Sequence, residues 1–380
     1  MTVTVRSFAK INVGLRIGPA RPNGFHDLLT VYQTIGLHDV IRVSVGRGSG
    51  IEIRCADPRV PRDESNTCYR IVERAMAALR CKGRVIIEIE KRLPVQGGMG
   101  GASANAVATL LGLERTLRKT LPAAERLRIA AEVGSDLPLF LLGGTILGLG
   151  RGEQVYPLTD FPATACVVVT PEIGVSTPKA FAEWDRLRGA GAPAHKNLAG
   201  SRADRVSNKE PAEPCSARQP GAAVPTCTST HAESDERPAW AEGADPHTLT
   251  VSNPSDRMSE LGYGLSAWLS GLYSSAPSEF LKRGGRAGNP LLRLDRAGIE
   301  NDFEQVVFPE YPKLGEAKRA LVRAGAKYAS LSGSGSTMYG LFGSRPAAAS
   351  AVSQLRKAGW AAQATVTLTR AAYWRRLVAG

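Results

Sequence analysis

Histidine is scarce in this 380-residue chain, with five copies, and aromatic residues make up only 6% of it. The six cysteines, at positions 55, 68, 81, 166, 215 and 227, form no CxxC pair and no Cys/His cluster at metal-ligand spacing. That pattern speaks against a zinc module or a disulfide framework, and a reduced, cytosolic compartment is expected. Long hydrophobic runs are missing as well. The longest uncharged apolar stretch, Leu137–Gly150, is too short to span a bilayer and is broken by Pro138, Gly143, Gly144 and Gly148. Arg6 and Lys10 stand near the start with no apolar core between them, so no secretory leader is expected. A soluble protein without a membrane partner is the expectation, and no internal repeat is visible.

What is present is enough apolar residue, 43%, for a large core, and a length that suggests two domains. The formal charge is +13, but Lys196–Asp256 holds six Lys/Arg against nine Asp/Glu, so the rest of the chain carries +16. That excess suits an anionic small substrate or a solvated surface. With no basic run interleaved with aromatics, nucleic acid is not the expected partner. The segment at about 196–256, crowded with Pro, Ser, Ala, Glu and Arg, has no apolar period and reads as a mobile insertion.

Strands are expected over residues 3–17, 28–37, 40–45 and 51–55, a helix over 66–82, a strand over Arg84–Glu90, and helices over Ala102–Leu117 and Ala123–Val133. Further on, Thr164–Thr170, Tyr328–Leu331, Met338–Phe342 and Ala364–Leu368 read as strands. Leu261–Leu272 marks a return of apolar patterning, and Leu314–Ala324 and Ala347–Ala358 read as helices. The class is α+β. Between the strand Arg84–Glu90 and the next helix lies LPVQGGMGGASANA, a glycine loop lacking both the Gly-Lys-Ser/Thr ending of a P-loop and the GxGxxG of a dinucleotide fold. Strand, glycine loop and helix together present bare N–H groups and a positive helix end, as a phosphate requires. A tight strand–helix turn would look the same.

Several residues could carry chemistry. In SFAKINVGLRI, alternation puts Lys10, Asn12 and Gly14 on one strand face and Ile11, Val13 and Leu15 on the core face, with Gly14 leaving room beside the polar pair. A solvent-exposed face is the plain alternative. Asp136, in GSDLPLFL, is the lone acid entering an apolar stretch; it is either functional or the N-cap of a helix with Pro138 just inside. Asn66 could cap its helix or read a base edge. Phe25 and His26 could stack on a base and hydrogen-bond it, and LSGSGS (331–336) could be a turn or a backbone clamp. A Lys, an acid and a phosphate-cradling loop are together the parts of a phosphoryl-transfer site, with Asp as base and Lys keeping it ionised.

With these pieces assembled, the chain resembles the GHMP kinase superfamily (galactose, homoserine, mevalonate and phosphomevalonate kinases). AKINVGLRI, PVQGGMGGASANA and LSGSGST stand in that family's order across nearly the whole chain. AKIN, NGFHDLLTVYQ, GSDLPLF and ENDFEQVV are most similar to the branch acting on cytidyl-diphosphate methylerythritol. The resemblance implies a ribosomal-protein-like α+β domain over 1–160, a ferredoxin-like α+β domain over 161–380, and an active site in the cleft between them. It makes Lys10 and Asp136 the catalytic pair, with Asn12 orienting the acceptor hydroxyl. Pro94, Val95, Gln96, Gly97, Gly98, Met99, Gly100, Gly101, Ala102, Ser103 and Ala104 would wrap the ATP triphosphate, and Asn66 would contact adenine. His26 would hydrogen-bond cytosine, Phe25 and Phe181 would stack on it, and Tyr32 would line the same pocket. ATP would be the co-substrate and Mg²⁺ would bridge its phosphates, with the metal ligands unassigned, as is the oligomeric state. Three features depart from the family's pattern: Ala102 replaces a loop glycine and Ala104 a loop serine, Phe25 stands where tyrosine is usual, and the 196–256 insertion is atypical.

Three other readings compete. A different GHMP kinase would accept mevalonate, a sugar or homoserine, but His26 and its aromatics suit an acceptor with a base. A silent nucleotide-binding regulator has no need of both Lys10 and Asp136. A polynucleotide binder would show steeply salt-dependent affinity.

Overall fold

The computed structural model describes residues 1–22, 24–188, 289–294 and 299–378; the expected insertion at 196–256 and the segment Leu261–Leu272 lie outside these described residues. Its first sheet grows from two long antiparallel strands, β1 (Thr2–Ala20) and β2 (His26–Gly46). The second half of β2 pairs with β4 (Arg84–Glu90), itself parallel to β3 (Ile51–Cys55). The first half pairs with β5 (Thr145–Leu149), which pairs with β6 (Gln154–Pro157). Separate strands were expected across 28–37 and 40–45; they form one strand because the intervening His38 and Asp39 stay extended, opposite Phe8 and Ser7 of β1.

The second sheet is antiparallel. It contains β7 (Ala165–Val169), β8 (Tyr328–Leu331), β9 (Met338–Phe342) and β10 (Ala362–Val366), in the order β10-β7-β9-β8. With the helices α5 (Thr177–Leu187), α6 (Pro312–Arg323) and α7 (Arg345–Lys357), this is the 4-1-3-2 arrangement of a ferredoxin-like split βαβ unit. The two-domain α+β class read from the sequence is the class observed. The expected helix at 347–358 begins two residues earlier, because Ser344 caps it through the N–H of Ala347.

The helices α1 (Thr67–Ala78), α2 (Gly101–Leu117) and α3 (Ala123–Val133) bury Ile71, Leu110 and Ile129 in the core of the first sheet. The other face of β1 and β2 lies on the second sheet: Ile11, Val13, Val31 and Ile35 share a core with Cys166, Val168, Tyr339 and Leu341. This double covering buries Lys10 and Asn12, so the solvent-exposed reading of that strand face fails. The register of β1 on β2 shifts between Phe8 and Lys10 and again between Asn12 and Gly14, on either side of this polar pair. The room expected beside Gly14 is filled, since a Cβ there would stand 2.5 Å from Cγ2 of Ile299. Close packing, not a ligand, accounts for this glycine.

Candidate active site

Lys10 and Asp136 meet where β1 runs beneath the glycine loop. The Lys10 backbone N–H donates to the carbonyl of Met99 at 3.0 Å, which ties the loop to the strand. Its Nζ donates to Oδ1 of Asn12 at 2.7 Å and lies 3.4 Å from Oδ2 of Asp136. Asn12 is held in turn: its Nδ2 donates to the Thr30 hydroxyl at 2.8 Å, and that hydroxyl donates to the Gly14 carbonyl at 2.7 Å. The Tyr32 hydroxyl donates to Oδ1 of Asp136 at 3.2 Å. Burial, and then the Asp136 charge, push the Tyr32 phenol well above its ordinary pKa, so it remains a donor.

Asp136 occupies the N-cap position of the short helix α4 (Leu137–Phe140), but its side chain makes no capping hydrogen bond. The capping explanation therefore does not account for this acid. Its carboxylate faces Lys10 and Tyr32 while staying 32% exposed, against 5% for Lys10. The carboxylate thus stands beside a buried cation and still within reach of a ligand in the cavity.

Two cavities share the glycine loop as a wall. The first, about 640 Å³, runs from Lys10, Asn12, Tyr32 and Asp136 to His26, Phe181 and Asp185; Gly98 and Gly100 border it. The second, about 330 Å³, is lined by every loop residue from Pro94 to Ser103, with Asn66, Thr67 and Lys91. The helix α2 opens on this second cavity with Gly100 at its N-cap and no side chain capping it, so its first-turn N–H groups are available to an anion. Ala104 is one residue too deep: it is buried in the core and its N–H closes the first helical bond to Gly100. The loop is clamped from behind by the second glycine turn. Gly98 has φ +79°, and a Cβ on it would stand 2.3 Å from the carbonyl oxygen of Ser332. Asn301, in turn, donates to the carbonyls of Leu331 and Gly333 at 2.9 and 2.8 Å and so holds that turn.

The remaining expected residues distribute unevenly. His26 and Phe181 come together, stacked with centroids 4.9 Å apart and 14° between planes, and Nε2 of His26 lies 2.7 Å from Oδ1 of Asp185. Phe25 is 50% exposed, with the Arg151 guanidinium 4.9 Å over its ring. Tyr32 lines the same cavity, but at its Lys10 end rather than beside His26. Asn66 does cap α1: Oδ1 accepts from the Cys68 N–H at 2.8 Å, and Nδ2 donates to the Pro61 carbonyl at 2.6 Å. Its oxygen and one of its two amide hydrogens thus already serve the protein, at the edge of the second cavity.

Four residues escaped the sequence reading: Thr30, Arg151, Asp185 and Asp39. Asp39 is fully buried and accepts from Lys91 Nζ at 2.6 Å, from the N–H groups of Arg92 and Leu93 at 2.7 Å each, and from Asn105 Nδ2 at 3.0 Å. It fastens the loop's entry to α2. An acid flanked by apolar strand residues was the available signal, the same one that drew attention to Asp136.

The GHMP kinases N terminal domain family matches residues 66–144, and the GHMP kinases C terminal family matches residues 280–360. A 4-diphosphocytidyl-2-C-methyl-D-erythritol kinase of Solibacter usitatus is 32% identical over 343 residues, covering 90% of this chain and 82% of that one. The enzyme of that name from a Synechococcus strain is 30% identical over 355 residues, covering 93% and 89%. A crystal structure of 4-(cytidine 5'-diphospho)-2C-methyl-D-erythritol kinase superposes with a TM-score of 0.60 at 24% identity, covering 96% of this chain and 98% of that one, a likeness of fold. The chain belongs to the 4-diphosphocytidyl-2-C-methyl-D-erythritol kinase family. Among the described residues no helix is long and apolar enough to cross a membrane.

Proposed function

We propose that this protein transfers the γ-phosphoryl group of ATP to the 2-hydroxyl of 4-diphosphocytidyl-2-C-methyl-D-erythritol, a step of the non-mevalonate isoprenoid route. The observation that carries this reading is the Lys10–Asp136–Tyr32 contact beside the loop that separates the two cavities. ATP lies in the second cavity with its phosphates on the loop and on the start of α2. The acceptor fills the first, its hydroxyl at Asp136 and its base near His26. Asp136 takes the hydroxyl proton as the oxygen attacks the γ-phosphorus; the bond from that phosphorus to the bridging oxygen breaks, and ADP leaves. Lys10 holds Asp136 in place and offsets charge at the transferring group, while Asn12 orients the hydroxyl.

Magnesium fits this site only as a companion of the triphosphate. Among the described residues no group of three or more His, Cys, Asp or Glu could hold a metal ion. Mg²⁺ characteristically keeps several waters and needs one or two protein oxygens plus phosphates. The Ser103 hydroxyl, in the first turn of α2 and lining the second cavity, is an oxygen that could serve it. The ion would neutralise phosphate charge there.

The deciding measurement is ADP release with Mg·ATP and the cytidyl acceptor, run beside mevalonate, homoserine and galactose. Turnover confined to the cytidyl compound is expected. Turnover with another acceptor would remove the base-pocket assignment, and silence with all four would favour a nucleotide-binding regulator.

A further inference from the structure

We propose that Arg151 is the residue that holds the diphosphate of the acceptor; this rests on the cytidyl reading above. The first cavity has a reacting end at Lys10 and Asp136 and an aromatic end at His26 and Phe181. An acceptor with its hydroxyl at one end and its base at the other must lay a twofold negative diphosphate across the middle. Among the described residues, Lys10 and Arg151 are the only Lys or Arg side chains lining the cavity, and Asp136 and Asp185 add negative charge to it. Lys10 is already engaged by Asn12 and Asp136. The counter-charge for the diphosphate therefore falls to Arg151.

Its setting suits that task. The Leu28 N–H donates to the Gly150 carbonyl at 2.6 Å, and the Arg151 N–H donates to Oε2 of Glu153 at 2.6 Å. The backbone at Arg151 is thus fixed close to the start of β2, two residues from His26. The side chain is 34% exposed and its Nε stands 3.8 Å from Oε1 of Glu153, beyond hydrogen-bonding distance. One face of the guanidinium lies over the Phe25 ring. Stacking occupies a face and leaves the edge donors, whose planar fork matches phosphate oxygens two at a time. Phe25 would then carry the base while its partner carries the charge.

Calorimetric titration of cytidine, CMP and CDP, with ADP saturating the second cavity, tests this on the wild type, Arg151→Met and Arg151→Lys. Wild type should gain about ten- to a hundredfold in affinity from cytidine to CDP, the range for charge-assisted hydrogen bonds. Arg151→Met should erase that gain and leave cytidine binding unchanged, and Arg151→Lys should recover part of it. In turnover, the acceptor KM should rise by a similar factor with kcat within a few-fold. Survival of the gain in Arg151→Met would overturn the proposal, as would an equal loss of cytidine and CDP, which would mean that Arg151 merely props Phe25. A wild type that binds none of the three would overturn the cytidyl reading itself, and the proposal with it.

Discussion

Asp136 stands at a helix N-cap, yet its carboxylate faces Lys10, whose Nζ lies 3.4 Å away, instead of the helix. A capping carboxylate would accept from the N–H groups of the first turn. This one instead sits between a buried ammonium and a buried phenol that must stay protonated, with its outer edge toward a cavity. Stability alone does not call for such an arrangement, since a half-exposed ion pair contributes little.

Asp136→Asn should therefore separate activity from folding. Losing the general base is expected to lower kcat by about two to four powers of ten, with KM for both substrates within a few-fold of wild type. The melting temperature should fall only modestly, because Asn12 still accepts from Lys10, the lost carboxylate is partly exposed and no helix cap is removed. Steady-state kinetics beside a melting curve checks both. A collapse of the melting temperature with proportionate loss of activity would return Asp136 to a structural role.

Gly98 and Gly359 offer a matched pair, with φ +79° and +83°. Around Gly359 nothing lies within 4 Å of a Cβ, whereas at Gly98 the Cβ would overlap the Ser332 carbonyl. Gly359→Ala should cost about 1–2 kcal/mol, the penalty of left-handed backbone alone, and leave kinetics untouched. Gly98→Ala should be more destabilising and should raise the KM for ATP about tenfold or more, because the loop and the second glycine turn must part. Equal effects of the two substitutions would show that the close approach of the two turns is unimportant.

Much of this was legible locally. Arg84–Glu90 alternates, Ala123–Val133 repeats at helical spacing, and Tyr328–Leu331 and Met338–Phe342 are short, largely apolar runs bounded by turns; the observed bounds match in all four. Asp136 was conspicuous as a charge in an apolar stretch, and the glycine loop as a break between strand and helix. The burial of Lys10 was not legible, because it depends on Gly100, Phe140 and Gly333, far apart in sequence, closing over the strand, and on register shifts that alternation cannot show. Nor were Arg151 and Asp185, whose relevance comes from facing Phe25 and His26 across the fold. The Asn66 cap could be read from sequence; that its Nδ2 also holds the Pro61 carbonyl could not.

Asp39→Ala tests how the loop is anchored. The substitution leaves Lys91 and the N–H groups of Arg92 and Leu93 without their shared acceptor. Breaking a buried charge pair in this way costs about 3–5 kcal/mol, and urea unfolding should show a loss of that order. Because the same carboxylate holds Asn105 of α2, the KM for ATP should rise as well. A loss below 1 kcal/mol would mean that water replaces the carboxylate without penalty.

Stability should fall at alkaline pH, and the sign follows from the buried acids. Burial raises the phenols of Tyr32, Tyr328, Tyr339 and Tyr373 above their ordinary value of 10.0, and pushes the Cys68 and Cys166 thiols up from 9.0 to about 12. Above pH 9–10 the unfolded chain releases these protons while the native protein keeps them. The unfolded state then binds fewer protons, so unfolding becomes easier as pH rises, by about 1.4 kcal/mol per pH unit for each proton difference. Urea unfolding followed from pH 7 to 11 should show a plateau and then a steep decline beginning near pH 9–10. Tyr373→Phe removes the donor to the Phe140 carbonyl and lowers the plateau, but it also removes one of these protons and should make the decline shallower. An unchanged slope in that variant would mean that Tyr373 titrates alike in both states and that its burial is incomplete in solution.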